Sequence, residues 1–340
     1  TMKPSYLIIA LSAALTVIFW IATPASQTPV PSVHYEKQIL DAPQYSLHTP
    51  NLVDVTIEAG IQRPHTQRSE YVTGLHESMG AGACAFDYDN DGWVDLLLLN
   101  GSGTTHFYGK PQWWQQDGNS LSLYRNNRHG GFDLVTQESG LHSSAWSMGC
   151  AHGDLDNDGD SDLFLSHYGA NQLWRNNGDG TFTDVTPSTN ITGELWSTSA
   201  NIIDVNGDGW LDIYVNNFID FTTNSLTFEA SSGYEASLPK NFDARLYNPQ
   251  ANQLFINEGN LRFTEQAKLW GVDNPQGRSL SALWSDLNDD RLIDVIIANG
   301  QGSSNQVLLN NKEKPLTDIT TASGLGFDSL VKGPLINTPY

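Results

Sequence analysis

The chain has 340 residues, with 38 acidic side chains against 17 basic ones and a net charge of −21. A charge of that sign and size repels nucleic acid, and no basic patch offsets it. The acids are concentrated in repeated loops, so the repeats take precedence over any domain count made from length.

The first 27 residues differ from the rest. Lys3 precedes an uncharged, mostly apolar run, Tyr6 to Ala25, that ends in ATPAS. A secretory signal peptide and a single membrane anchor both fit: the run reaches the ~20 residues needed to cross a bilayer, and its small terminal residues suit cleavage. Either reading places the remainder outside the cytoplasm, facing the periplasm or extracellular space, with membrane contact through this segment if it is retained. Residues 28–50 are rich in Pro, Ser, Thr and Gln and read as a linker. Residues 51–327 carry the repeats, and 328–340 form a C-terminal tail.

Three phrases recur through 51–327. The first is LVDVTIEAGI (52–61), which returns at 132–141, 182–191, 263–272 and 316–325. Its alternating apolar residues predict a half-buried strand that stops at a turn. The second is an acidic loop: DYDNDGWVD from Asp87, DLDNDGDSD from Asp154, DVNGDGWLD from Asp204 and DLNDDRLID from Asp286. Each is followed by a short apolar strand. The third is a hairpin such as NQLWRNNGDGTF (171–182), with Asn-Gly and Gly-Asp turn chemistry. One repeat therefore reads strand, acidic loop, strand, connection, strand, hairpin turn, strand, which is a β-propeller blade. The predicted fold is all-β, a β-propeller of four-stranded antiparallel blades with calcium loops, preceded by one N-terminal hydrophobic helix. Insertions at about 102–121 and 218–250 fall between the second and third strands of blades 1 and 3. The phrase at 52–61 is a closing strand without a blade, and four blades seldom close a ring. The ring is therefore open or unusual, or the chain continues into a longer propeller.

The loops have the chemistry of a hard-cation site. Ca²⁺ takes 6–8 oxygens at ~2.3–2.6 Å from alternating positions of a tight loop. Positions 1, 3, 5 and 9 supply side chains and position 7 a backbone carbonyl. The candidate ligands are Asp87, Asp89, Asp91, Trp93 and Asp95 in blade 1, and Asp154, Asp156, Asp158, Asp160 and Asp162 in blade 2. Blade 3 offers Asp204, Asn206, Asp208, Trp210 and Asp212, and blade 4 Asp286, Asn288, Asp290, Leu292 and Asp294. Position 6 is Gly92, Gly159 and Gly209, but Arg291 in blade 4, where the bend costs more and a guanidinium sits beside the metal. That site is expected to be the weakest, or to have lost its ion. Three to four structural calcium ions follow. Position 12 bears no acid and strands follow the loop, so this is no EF-hand. Zinc lacks Cys and His at suitable spacing.

DxDxDGxxD before an apolar strand resembles the FG-GAP/VCBS repeats of integrin-α-like propellers. SMGCAHGDLDNDGDSDLFL, NQLWRNNGDGTFTDVT and the inserted third blade look closest to the cartilage-acidic-protein-like, ASPIC/UnbV-associated family. The resemblance covers roughly 50–325. It implies calcium-stabilised, non-enzymatic interaction proteins outside the cell, with a protein or glycan as partner.

Two further features stay open. Cys84 and Cys150 precede equivalent loops and read either as a disulfide of an oxidising compartment or as two buried thiols. Met79, Trp146, Trp196 and Arg278 lie eight residues before their loops, on the face away from the calcium. With Trp113 and Trp114 of the first insertion they form either an aromatic ligand face or wedges between blades. No nucleophile elbow or Ser-His-Asp order stands out, so no catalytic residue is assigned. A propeller polysaccharide lyase and an accessory subunit of a membrane complex are the alternative functions.

Overall fold

The computed structural model describes residues 52–61, 76, 79–101, 106–107, 110–111, 119–221, 244–300 and 302–326. The calls on 1–27, 28–50 and 328–340, and on Trp113 and Trp114, lie outside the described residues. The chain divides into two units at Thr56/Ile57. In the described part of the first, Asp54 Oδ1 accepts hydrogen bonds from the Thr56 amide and hydroxyl.

The second unit is all-β, propeller-like and built of four-stranded antiparallel blades, as the repeats predict. Blade 1 runs β1 (Ala83–Phe86), β2 (Asp95–Leu99), β5 (Leu121–Asn126) and β6 (Phe132–Leu134). A two-residue hairpin, β3 (His106–Phe107) and β4 (Lys110–Pro111), lies in the predicted insertion. Blade 2 is β7 (Trp146–Gly153), β8 (Asp162–Ala170), β9 (Gln172–Asn176) and β10 (Phe182–Asp184). Blade 3 is β11 (Glu194–Ile203), β12 (Asp212–Asn217), β13 (Gln253–Asn257) and β14 (Phe263–Glu265). Blade 4 is β15 (Ser279–Ser285), β16 (Asp294–Asn299), β17 (Gln306–Leu309) and β18 (Thr317–Asp318). The end of β8 also pairs with the start of β11, so blades 2 and 3 share one sheet.

The closing phrases become a short outer strand and a single helical turn. In blades 1, 2 and 4 the phrase's threonine sets the joint: Thr136, Thr186 and Thr320 Oγ1 accept the amides of Leu123, Leu173 and Val307 on the neighbouring third strand. Glu265 does this in blade 3. The first copy differs from expectation. Residues 52–55 form no strand, and Thr56–Gly60 form a turn. An outer strand needs a third strand to bond to, and the described residues supply none to 52–55.

Blades are joined by apolar faces and by close approach of their first strands. Blade 1 packs Cys84, Phe86, Leu97 and Leu123 against Leu163, Leu165 and Trp174 of blade 2. Phe164 and Leu173 meet Ile213 and Phe255, and Tyr214 and Leu254 meet Trp284 and Val295. Five residues before each loop stands a small residue, Gly82, Gly149, Ser199 or Ser281. A Cβ on Gly149 would lie 3.2 Å from the Thr198 carbonyl and 2.9 Å from Ser166 Oγ, so a larger side chain there would push the strands apart. Between blades 3 and 4, Thr198 Oγ1, Ser199 Oγ and Asn201 Nδ2 donate to the carbonyls of Ser279, Leu280 and Ala282. Cys84 and Cys150 form a disulfide across the blade 1–2 junction, which selects the first of the two readings.

Candidate functional site

Each acidic loop links a first strand to a second, and its fold is written by its own carboxylates. The position-1 aspartate accepts two or three backbone amides. Asp87 takes those of Asp91 and Gly92 at 3.0 and 2.8 Å, and Asp154 those of Asp158 and Gly159, both at 3.0 Å. Asp204 and Asp286 repeat the pattern. The position-5 aspartate accepts the position-7 amide in every loop, from Trp93, Asp160, Trp210 and Leu292. These bonds hold the chain in a bend that requires positive φ at position 6. Glycine supplies it in three loops, whereas Arg291 adopts φ 69° in the fourth, a strained choice for a side-chain-bearing residue.

The position-9 aspartates, Asp95, Asp162, Asp212 and Asp294, are fully buried. One oxygen accepts the position-2 amide (Tyr88, Leu155, Val205, Leu287). The other accepts the amide of the asparagine ending or following the third strand (Asn126, Asn176, Asn257, Asn310). Burial outweighs these bonds and raises Asp95 to about 6 and Asp162 and Asp212 to about 7. Burial, then neighbouring carboxylates, also raises Asp89 and Asp156. A carboxylate this poorly solvated takes up a proton unless a cation lies close by, and a cation site must bring several oxygens together.

Loops 1 and 2 meet that test. Oxygens of Asp87, Asp89 and Asp95 lie within 4.8 Å of one another, as do those of Asp154, Asp156 and Asp162. In each group the position-3 aspartate keeps a buried Oδ1 without a hydrogen-bond partner, Asp89 Oδ1 and Asp156 Oδ1. Buried acceptors are rarely left so, and an all-oxygen set of this kind suits a hard cation. Loops 3 and 4 differ. Asn206 Nδ2 donates to Asp208 Oδ2 at 2.8 Å, and Asn288 Nδ2 to Asp290 Oδ2 at 3.0 Å. In loop 1, Arg128 reaches back and pairs with Asp91 at 2.6 Å, drawing that carboxyl below its usual range. The sequence reading passed over Arg128, because its pairing depends on where the third hairpin folds back.

The loops are also tied to one another. Asn90 Nδ2 donates to Asp160 Oδ1 at 2.6 Å, and Asn157 Nδ2 to the Gly209 carbonyl at 3.3 Å.

Of the candidates for an aromatic face, Met79, Trp146, Trp196 and Arg278 are among the described residues. Trp146 and Trp196 are buried in a cluster with Phe218, Ile219 and Phe221, against which Met79 packs. His76 stacks on Tyr168 and meets Trp146 edge-on. Arg278 is committed to the 244–247 turn: its guanidinium donates to the carbonyls of Ala244 and Tyr247 and to Ser303 Oγ. These contacts hold the third-blade connection in place. An open cleft of about 650 Å³ lies elsewhere, beside loop 1, between the outer strand of blade 1 and the hairpin turn of blade 2. Its charged lining is Arg125 with Asp89, Asp133, Glu138 and Asp179. Periodicity could not reveal it, since its two walls come from different blades.

The FG-GAP-like repeat profile matches residues 87–165 and 154–215, so the chain carries FG-GAP-like repeats. No curated protein sequence matches the chain. Similar solved structures include the following three. One is an Agrocybe aegerita lectin described as recognising non-reducing terminal N-acetylglucosamine, 14% identical, TM-score 0.35, covering 69% of this chain and 50% of the lectin. Another is the V. cholerae biofilm matrix protein Bap1, 13% identical, TM-score 0.32, covering 73% and 33%. The third is a RAG complex with one melted and one unmelted RSS, 11% identical, TM-score 0.38, covering 74% and 70%. The matched region thus spans half of the lectin and a third of the biofilm protein.

Proposed function

We propose that this chain of FG-GAP-like repeats is a calcium-stabilised interaction module working outside the cytoplasm, with a protein or glycan as its partner. The observation that carries the calcium is the pair of buried, unpartnered oxygens, Asp89 Oδ1 and Asp156 Oδ1, each inside a carboxylate triad. A cation there would neutralise acids that the fold has desolvated. Asp87, Asp89, Asp91 and Asp95, and their counterparts in the other loops, would hold it. Its role is structural: it fixes the first hairpin of each blade while the opposite edge carries the connections.

The Cys84–Cys150 disulfide supports an oxidising compartment. The cleft supports binding over catalysis. It sets one arginine against four carboxylates, whereas a lyase for acidic polysaccharides needs a basic site. Among the described residues no helix is long and apolar enough to cross a membrane, and the 1–27 segment falls outside them.

A glycan array together with capture from native membrane and secreted fractions, each run with calcium and with chelator, tests the reading. Selective retention that chelation abolishes supports it. Turnover of a polysaccharide on the array, or retention indifferent to calcium, would overturn it.

A further inference from the structure

The turn between the third and fourth strands holds one residue in a left-handed backbone in all four blades. It stands two residues after the asparagine that ends or follows the third strand. Arg128 occupies it in blade 1 with φ 64°, Gly178 in blade 2 with φ 72°, Gly259 in blade 3 with φ 83° and Lys312 in blade 4 with φ 67°. One repeated bond fixes it. The amide of this residue donates to the asparagine Oδ1, at 2.9 Å in blades 1 and 3, 3.1 Å in blade 2 and 3.0 Å in blade 4. Glycine adopts this backbone freely, whereas a residue with a Cβ is strained there. Blade 1 therefore places a guanidinium where blades 2 and 3 place no side chain.

That guanidinium is committed to loop 1. Arg128 Nε and a terminal nitrogen donate to the same oxygen, Asp91 Oδ2, at 3.1 and 2.6 Å. Asp91 Oδ1 already accepts the Trp93 amide, so both oxygens of this candidate ligand have partners. The Asp91 side chain is only 13% exposed, so water screens the pair less than it screens an ordinary surface pair.

Loop 2 lacks the device. Its corresponding carboxylate, Asp158, accepts the Asp160 amide, and among the described residues no cationic side chain pairs with it. A Cβ on Gly178 would lie 2.5 Å from Asp160 Oδ2, so that position is closed to a side chain like Arg128. The other arginine near loop 1, Arg125, has a counterpart in blade 2, Arg175. Lys312 enters no ion pair among the described residues. Arg128 is thus the cation that sets loop 1 apart.

We propose that Arg128 is an internal counter-ion of loop 1, competing with a divalent cation for Asp91. The inference rests on the cation reading of the loops given above. A guanidinium stays charged throughout the physiological pH range, so it cannot step aside by losing a proton. Left on Asp91, it repels a divalent ion held by Asp87, Asp89 and Asp95; displaced, it forfeits the ion pair. Loop 1 therefore fills at a higher cation concentration than it would with glycine at 128. Without a cation, the same pair relieves the repulsion of Asp91 by Asp87 and Asp89. Asp89 stands both in the loop 1 triad and in the wall of the cleft, so exchanging Arg128 for a cation also changes the charge that the cleft presents.

The test is a titration of the 340-residue chain with terbium, a trivalent stand-in for calcium, followed by competition with calcium. Tryptophan-sensitised luminescence reports a lanthanide close to an indole, and Trp93 is the seventh residue of loop 1. The part of the signal that Trp93→Leu removes is assigned to loop 1. Arg128→Gly is expected to tighten calcium binding at that loop by about tenfold, through loss of the repelling charge. Arg128→Gln keeps the strained backbone but not the charge, so it should tighten binding similarly; it also carries the test if the glycine variant loosens the hairpin. Tightening by glycine alone would trace the effect to the backbone and overturn the counter-ion. Unchanged or weakened binding in both variants, with calcium still bound by the parent, overturns the role of Arg128 and leaves the cation reading intact. Absence of the Trp93-dependent signal from parent and variants alike removes the cation reading of loop 1, and this proposal with it.

Discussion

Asn176 Nδ2 donates to the Tyr88 carbonyl at 2.8 Å, which ties the third strand of blade 2 to the acidic loop of blade 1. The same amide reaches Ser161, and Asn176 Oδ1 accepts the Gly178 amide. One buried side chain thus joins two blades and a hairpin turn. Asn176→Ala leaves these groups unpaired and should cost roughly 3 kcal/mol. Asn126→Ala, which breaks no bond to a neighbouring blade, should cost about 1 kcal/mol. Urea unfolding of both variants checks the order, and equal losses would contradict it.

Chelation should lower the melting temperature markedly. At a free calcium concentration about tenfold above the dissociation constant, each site adds about 1.4 kcal/mol. Four sites would then supply ~5–6 kcal/mol, comparable to the ~5–15 kcal/mol net stability of a domain. Calorimetry with calcium and with EDTA measures it. A melt unchanged by EDTA would rule out the structural role.

The disulfide closes a 66-residue separation between blades 1 and 2. Chain-entropy arguments give such a loop about 4 kcal/mol. The Cys84→Ala/Cys150→Ala double variant should unfold at lower denaturant than the oxidised chain by that amount. Reducing agent should reproduce the shift in the parent and leave the variant unmoved.

His167 gives the fold an acid limit. It is fully buried between Ser143 and the Ala170 carbonyl, and burial lowers it to about 4. The folded chain therefore holds the neutral ring, while the unfolded chain protonates near pH 6.5. This contribution is complete above about pH 6.5 and falls as acid is added towards pH 4, by about 3 kcal/mol in all. The buried loop aspartates shift in the opposite sense when calcium is absent, so the measurement belongs in saturating calcium. Stability against pH for His167→Asn should be flatter than for the parent between pH 4 and 6.5; parallel curves would refute the assignment.

Trp196 is buried, edge-on to Phe218 at 5.2 Å and to Tyr168 at 5.3 Å. Trp196→Ala should cost about 3–5 kcal/mol through the cavity it leaves. Ligand capture should survive once the variant is stabilised by calcium. Loss of capture at full stability would favour the aromatic-face reading instead.

Much of the architecture was legible before folding. The four acidic loops in register, the alternating closing phrases and the Asn-Gly turns set the strand order within a blade, because each depends on contacts a few residues apart. The insertions fell where the repeat spacing placed them. Arg128 on Asp91, Asn90 on Asp160 and the cleft beside loop 1 were not legible, because each joins segments that meet only when hairpins fold back or blades pack.

The sequence by itself determined the blade and its acidic loops, since local carboxylate–amide bonding and strand periodicity suffice for these. Tertiary structure decided the rest. It paired Cys84 with Cys150, buried Trp146 and Trp196, and separated loops with unpartnered aspartate oxygens from loops whose asparagines satisfy themselves. Those outcomes depend on which face of one blade meets the next, and that is settled by packing across distances no local pattern encodes.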